Sequence, residues 1–405
     1  MNNSAVIAGY GVYLPFAKDN AELIEKLRLG ERVNTTPWFK SDAQAKKCGF
    51  SGNKNVATLK QAGDSDMNLI YKLIDAALAQ AMLNKHCLAG EHVRVYLTGL
   101  GPRVDGIDYK SFYNKNDVED ILLTRSISNL QIANMSQDSV ARNIARHYRL
   151  KHMPPNMNCT SNSSLAAVHL GCQGIEKGNL DLVLVINCSK IKSQDIWFLV
   201  SQSMLDSELV QPFGEESKSV LFAEGYSVLL LESRRHRRER NLRGGVCLKS
   251  TYMQISASRS NESSWLSACM VKVMNQALKN ARLAPEDLCA IIPHGNGSAV
   301  SDRAEARAIC QLLGEQTVPV LAYKGQVGYT ATGSGIVDLV IGHYSLRHRE
   351  LLVPVSNGAI AEGIAEHLLT DKGAIGHRRQ HLLKIGIGVD GSVIAIVMSD
   401  SDVDE

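Results

Sequence analysis

The sequence predicts an α/β fold with largely buried strands, and two observations carry that prediction. Short apolar runs rich in β-branched residues alternate with longer amphipathic stretches, the pattern expected when helices cover a sheet on both faces. Each half of the chain also runs strand, helix, strand around a turn crowded with polar and small residues, so an internally duplicated architecture is expected although no sequence repeat is visible.

Taken in order, the strands are expected at Ala5–Gly9, Val93–Gly99, Leu180–Cys188, Tyr226–Glu232, Leu288–Pro293, Val318–Ala322, Leu383–Gly388 and Val393–Met398. Helical spacing is clearest over Met67–Leu83, Asp138–His147, Ser163–Lys177, Ser264–Ala281 and Asp302–Leu313. Residues Arg32–Gly63 are polar and glycine-containing and read as a surface excursion. The run Ser233–Arg243 carries six arginines between a strand and the Gly244–Gly245 break, which makes it the junction of two parts, 1–240 and 241–398. It reads either as a solvated face or as a docking patch for an acidic partner. Residues 399–405 form an acidic tail expected to be disordered.

At 405 residues the chain buries a core large enough to need no disulfide or metal. Nine scattered cysteines without a CxxC pair argue against a disulfide framework or a zinc knuckle, so no metal is expected. A formal charge of +3 does not imply a nucleic-acid partner. No segment approaches the roughly 18 apolar residues of a membrane span, and the N-terminus lacks a secretory pattern. A soluble, cytoplasmic protein is expected.

Three segments carry chemistry. Asn156–Gly178 is a turn of small hydroxyl residues opening a helix, where free N–H groups and the helix dipole would activate a nucleophile; an N-cap set of Ser and Asn gives the same pattern. Cys289–Leu313 runs from a strand into His294-Gly295-Asn296-Gly297-Ser298 and then a helix bearing Asp302 and Glu305, a placement suited to acid–base work. Lys324–Gly335 is glycine-rich and opens another helix, but it has the spacing of neither phosphate-loop fingerprint.

In order and spacing these segments, with Gln211-Pro212-Phe213, Ala223-Glu224-Gly225 and the closing Gly386-Ile387-Gly388-Val389-Asp390-Gly391, resemble the β-ketoacyl synthase family over nearly the whole chain. The resemblance implies a thiolase-like α/β fold of two similar halves, each with a mixed five-stranded sheet, layered α-β-α-β-α. Aligned without gaps on Ser163-Ser164-Leu165-Ala166-Ala167-Val168-His169, the family's nucleophilic cysteine falls on Ser161, and Cys159 lies two residues too early. The first catalytic histidine matches His294, with Asp302 and Glu305 downstream, and the retained lysine matches Lys324. The second histidine falls on Tyr329 and the gating phenylalanine on Ile387.

A serine hydroxyl needs a general base to become nucleophilic, and a phenol with a pKa near about 10 is a poor one. With nucleophile and histidine both replaced, the resemblance is closest to the chain-length factor, or ketosynthase β subunit, of bacterial type II polyketide synthases. That implies a heterodimer with a cysteine-bearing ketosynthase, served by an acyl carrier protein whose phosphopantetheine arm carries the acyl chain, and no cofactor. Ser128, Leu130, Gln131, Ala133, Asn134 and Met135 match the region that lines the tunnel or interface in the family, with Ile387; plain helix packing is the other reading of that segment. Three alternatives stay open: a serine-dependent acyltransferase or hydrolase using Ser161 and His294, a condensing enzyme using Cys159, and a non-enzymatic homodimer with only a scaffold role.

Overall fold

The computed structural model describes residues 3–59, 65–115, 136–256 and 263–400. Eight strands form one mixed sheet: β1 (Ala5–Tyr13), β2 (Val93–Thr98), β3 (Leu182–Ser189), β4 (Gly225–Ser233), β5 (Val246–Ile255), β6 (Leu288–Ile292), β7 (His381–Ile387) and β8 (Ser392–Asp400). Their order is β2-β3-β4-β1-β5-β8-β7-β6. The two ends of this sheet repeat one topology. β1 and β3 flank β4 antiparallel with β2 parallel to β3, while β5 and β7 flank β8 antiparallel with β6 parallel to β7. A short antiparallel contact between β1 and β5, Ala5 with Leu248 and Val6 with Cys247, joins them.

Four strands per half are fully formed, and a single parallel bridge stands where a fifth is expected: Asn156 beside Leu97, and Val320 beside Ile291. The strand expected at Val318–Ala322 is therefore only this bridge. Pro319 lacks an N–H to extend the ladder. In its place Val320 pairs with Ile291 on one side and Leu368 on the other.

Both faces of the sheet are buried because successive side chains alternate between two apolar layers. In β3, Val183 and Val185 join the central core while Leu182, Leu184 and Ile186 join an outer one; in β8, Ile394 and Ile396 are central while Val393, Ala395 and Val397 face the opposite outer core. The first outer core takes Ile70 and Ile74 of α1 (Asp66–Gln80) and Ile144 of α2 (Gln137–Tyr148). The central core takes Leu165 and Val168 of α3 (Ser163–Glu176) and the second outer core Val273 and Met274 of α4 (Ser263–Ala281) and Ile309 of α5 (Ala299–Leu313). Ile336 and Val340 of α6 (Ser334–His348) complete the central layer beside α3. The result is the α-β-α-β-α layering of the thiolase-like fold, with two central helices touching both halves.

Two surface expectations are corrected. Within Arg32–Gly63, the described residues form a small ribbon, Thr36–Pro37 against Asn55–Val56, whose Phe39, Ala45, Phe50 and Val56 are buried in a fourth apolar cluster with Ile196 and Tyr329. The arginine run is also more than a solvated face. Glu232, wholly buried at the end of β4, accepts from Arg240 at 2.7 Å, from His236 at 2.6 Å and from Arg237 at 3.3 Å. Arg240 also caps the Ala81 and Met82 carbonyls just past α1, and Arg235 pairs with Asp181. A buried carboxylate requires such partners. No helix among the described residues is long and apolar enough to cross a membrane.

Candidate functional site

Ser161 lies in the tight turn before α3. Asn162 at the N-cap makes no side-chain cap bond, so the N-cap reading of this Ser/Asn cluster is not what folds it. The turn is braced from within. The Cys159 N–H donates to Ser163 Oγ at 3.0 Å, and that hydroxyl donates to the Thr160 carbonyl at 2.6 Å. Thr160 takes a left-handed φ of 47°, costly for a β-branched residue unless its surroundings fix it. Its hydroxyl donates to Asp390 at 3.2 Å, and Asp390 also accepts from Ser392 Oγ at 2.7 Å. Asn162, fully buried, donates to the Ser392 carbonyl and hydroxyl at 3.0 and 2.9 Å.

The turn carrying Ser161 is thus tied to the closing turn 386–391. Glycine is required at 388 by this approach: a Cβ there would stand 2.3 Å from Asp390 Oδ1, 2.4 Å from Ser392 Oγ and 2.6 Å from Thr160 Oγ1. Cys159 is half-buried, and its thiol pKa is raised first by burial and then by the Asp390 charge. That environment suppresses the thiolate a nucleophile needs.

Tyr329 is brought in by the backbone. Its N–H donates to the Leu221 carbonyl at 2.7 Å and its carbonyl accepts from the Ala223 N–H at 2.9 Å, so residues 221–223 and 329 run as a short parallel bridge. The buried phenol shares a short hydrogen bond with the Ser161 hydroxyl and also bonds Asn296. Burial raises its pKa, partly offset by those two bonds. It stays a protonated phenol. His294 meets Tyr329 edge-on, ring centroids 5.9 Å apart at 89°. Burial first, then the charges of Lys324 and Lys384, hold this imidazole well below its usual pKa. It is neutral, and it is a weak proton acceptor.

Glu305 and Asp302 grip the loop that carries His294. Glu305 accepts from the His294 and Gly295 N–H groups at 2.6 and 2.8 Å, and Asp302 accepts from those of Phe213, Asn296 and Gly297 at 2.7, 3.2 and 3.0 Å. Both carboxyls are pushed up by burial, Asp302 to about 6 and Glu305 to about 7. Lys324, 3% exposed, donates to Asp338 of α6 at 2.7 Å. Two charged residues escaped the sequence reading: Asp338, and Lys384 of β7, whose Nζ reaches Asp338 and the Pro293 carbonyl at 2.9 Å.

Ser161, Tyr329 and His294 therefore converge. Lys324 and Glu305 stand behind them, bonded to Asp338 and to loop backbone. Ile387 is buried in the second outer core with Phe213 and Ala322, a packed position. Ser128, Leu130, Gln131, Ala133, Asn134 and Met135 lie outside the described residues. Among the described residues no cluster of His, Cys, Asp and Glu could hold a metal.

Comparison with known proteins agrees with this architecture. The model of the beta-ketoacyl synthase N-terminal domain matches residues 2–237, and that of the C-terminal domain matches 249–358. Polyketide synthase GfsB of Streptomyces halstedii is 24% identical over 336 residues, covering 79% of this chain. The chain spans only 6% of that relative's length. Among solved structures, AntDE:AntF, a type II polyketide synthase acyl-carrier protein in complex with its ketosynthase bound to the hexaketide, aligns over 99% of this chain and 100% of the other, at TM-score 0.82 and 18% identity. The ishigamide ketosynthase/chain length factor aligns over 99% and 100%, at TM-score 0.78 and 16% identity. The N-terminal family model alone spans more than half of the residues, and the chain belongs to the β-ketoacyl synthase family.

Proposed function

We propose that the chain is a chain-length factor: a ketosynthase-like subunit that does not condense, pairs with a cysteine-bearing ketosynthase and shapes the polyketide tunnel of a type II synthase. The observation that carries this reading is the Ser161–Tyr329 hydrogen bond. Where a ketosynthase needs a thiolate and a histidine, this chain has two hydroxyls bonded to each other. Neither is a base at neutral pH, because burial holds the phenol proton on. The imidazole that could serve Ser161 is neutral and weakly basic, and the hydroxyl is engaged by Tyr329 instead. Condensation through Cys159 is disfavoured by a thiol pushed toward its protonated form.

The partners follow from this reading. A cysteine-bearing ketosynthase supplies the nucleophile, and an acyl carrier protein delivers phosphopantetheine-bound chains, docking mainly on that partner; no cofactor takes part. The solved relatives named above as a ketosynthase/chain length factor and as an acyl-carrier protein with its ketosynthase support it by fold. The cytoplasmic location expected of such a synthase and the division into halves at 1–240 and 241–398 belong to the same proposal; of the acidic tail expected at 399–405, Ser399 and Asp400 instead close β8, buried, with Asp400 paired to Arg347 and Arg349. Co-expression tests the pairing. The chain expressed with a cysteine-bearing ketosynthase from the same synthase should co-purify as a stoichiometric dimer, and the chain alone should not condense malonyl units. An isolated chain that forms homodimers and makes β-ketoacyl product contradicts the proposal.

A further inference from the structure

Lys384 is a lysine in the interior of a strand, 1% exposed, between apolar neighbours Leu383 and Ile385. A buried ammonium is costly unless it is paired, and this one has two defined partners. It donates to Asp338 Oδ2, the oxygen that also accepts from Lys324, and to the Pro293 carbonyl at 2.9 Å. Pro293 opens the loop that carries His294. Five peptide groups of that loop are held by buried charged residues: the Pro293 carbonyl by Lys384, the His294 and Gly295 N–H groups by Glu305, and the Asn296 and Gly297 N–H groups by Asp302. The anchors come from two separate elements, β7 and α5.

We propose that Lys384 is a positioning residue for His294: its ammonium fixes the loop through the Pro293 carbonyl and sets a second positive charge, beside that of Lys324, against the imidazole. The charged groups around Lys384 are Asp338 of α6, Lys324 of the preceding turn, Glu305 of α5 and the His294 ring itself. Two ammonium groups share one carboxylate, so the local excess of positive charge opposes protonation of His294. The imidazole is thereby kept as a neutral group of fixed orientation. This role does not rest on the proposed pairing. It applies equally to a chain that condenses.

The test is the NMR titration of ¹³C/¹⁵N-histidine-labelled full-length protein, with His294→Gln used to identify the resonance among the 12 histidines. In the native protein the His294 ring should be neutral at neutral pH, its pKa lying well below the usual range, and show an inflection near pH about 8, where Lys384 loses its proton. Lys384→Met should raise the His294 pKa by about one unit or more and speed amide exchange of residues 294–297 by about tenfold. Lys384→Arg should keep the ring neutral while abolishing the inflection. A folded Lys384→Met protein with an unchanged His294 titration overturns the proposal. Should that variant not fold, absence of the inflection in the native protein, or its survival in Lys384→Arg, overturns it.

Discussion

The Ser161 hydroxyl and the Tyr329 phenol share one hydrogen bond although 168 residues separate them in sequence. Removing the phenol oxygen with Tyr329→Phe leaves both Ser161 and Asn296 without that partner. An unmade buried hydrogen bond costs about 1–2 kcal/mol. Urea unfolding should show a loss of that size. Activity of the reconstituted pair with its ketosynthase should change less than about twofold, because a uniform loss of stability does not touch the partner's chemistry.

The tie between the two turns predicts a crowding effect. Gly388→Ala pushes a methyl into Asp390, Ser392 and Thr160, and overpacking of this kind costs about 1–3 kcal/mol. Asp390→Ala removes the closest of these atoms, so the double variant should lose less than the sum of the two singles. Thermal melts of the four proteins check this.

The same carboxylate adds to the effect of burial at Cys159. Asp390→Asn removes the negative charge that raises the thiol's pKa, so more thiolate is present at pH 8. Alkylation of Cys159 by iodoacetamide, followed by mass spectrometry of its peptide, should be faster in the variant. An unchanged rate contradicts the assignment of Asp390 as that charge.

Stability should depend on pH through Glu305. Its pKa is raised from 4.5 unfolded to about 7 folded, so between those values the folded state binds more protons than the unfolded state. The sign follows from linkage: its contribution is fully present below pH about 4.5 and is lost as pH rises through about 7. Denaturant midpoints from pH 4 to 8 should fall with this component in the native protein. Glu305→Gln should flatten that part of the profile.

Much of this architecture was legible in the sequence, and the exceptions have physical reasons. The runs Leu180–Cys188 and Tyr226–Glu232 show as strands because they are buried on both faces and nearly all apolar. β5 is not legible in the sequence because its second half, Thr251–Ile255, is only partly buried and does not read as a buried strand. Pro319 limits the expected fifth strand to one bridge. At the site, the spacing of Ser161, His294, Lys324 and Tyr329 could be read along the chain. Lys384 and Asp338 could not, since each stands alone within an apolar run and acquires meaning only when β7, α6 and the His294 loop meet. The role of the arginine run was hidden for the same reason: Glu232 looks like the polar end of a strand until it is seen to be wholly buried.

Glu232→Leu tests that last point. It strands Arg237, Arg240 and His236 without their carboxylate, and breaking a buried ion pair typically costs about 3–5 kcal/mol. The arginines are 15% and 21% exposed and can turn to water, which places the expected loss at the low end, about 3 kcal/mol. A change below about 1 kcal/mol would mean that the run is merely a solvated face.

Whether Ser161 does any chemistry is decided by the condensing rate of the purified heterodimer carrying Ser161→Ala, with intact-mass analysis of both subunits after incubation with acyl carrier protein substrates. The rate should stay within about twofold of the native pair, with acylation confined to the partner's cysteine. An acyl adduct on Ser161, together with a loss of about 100-fold or more in the variant, would contradict it and establish a serine-dependent acyl transfer in this chain.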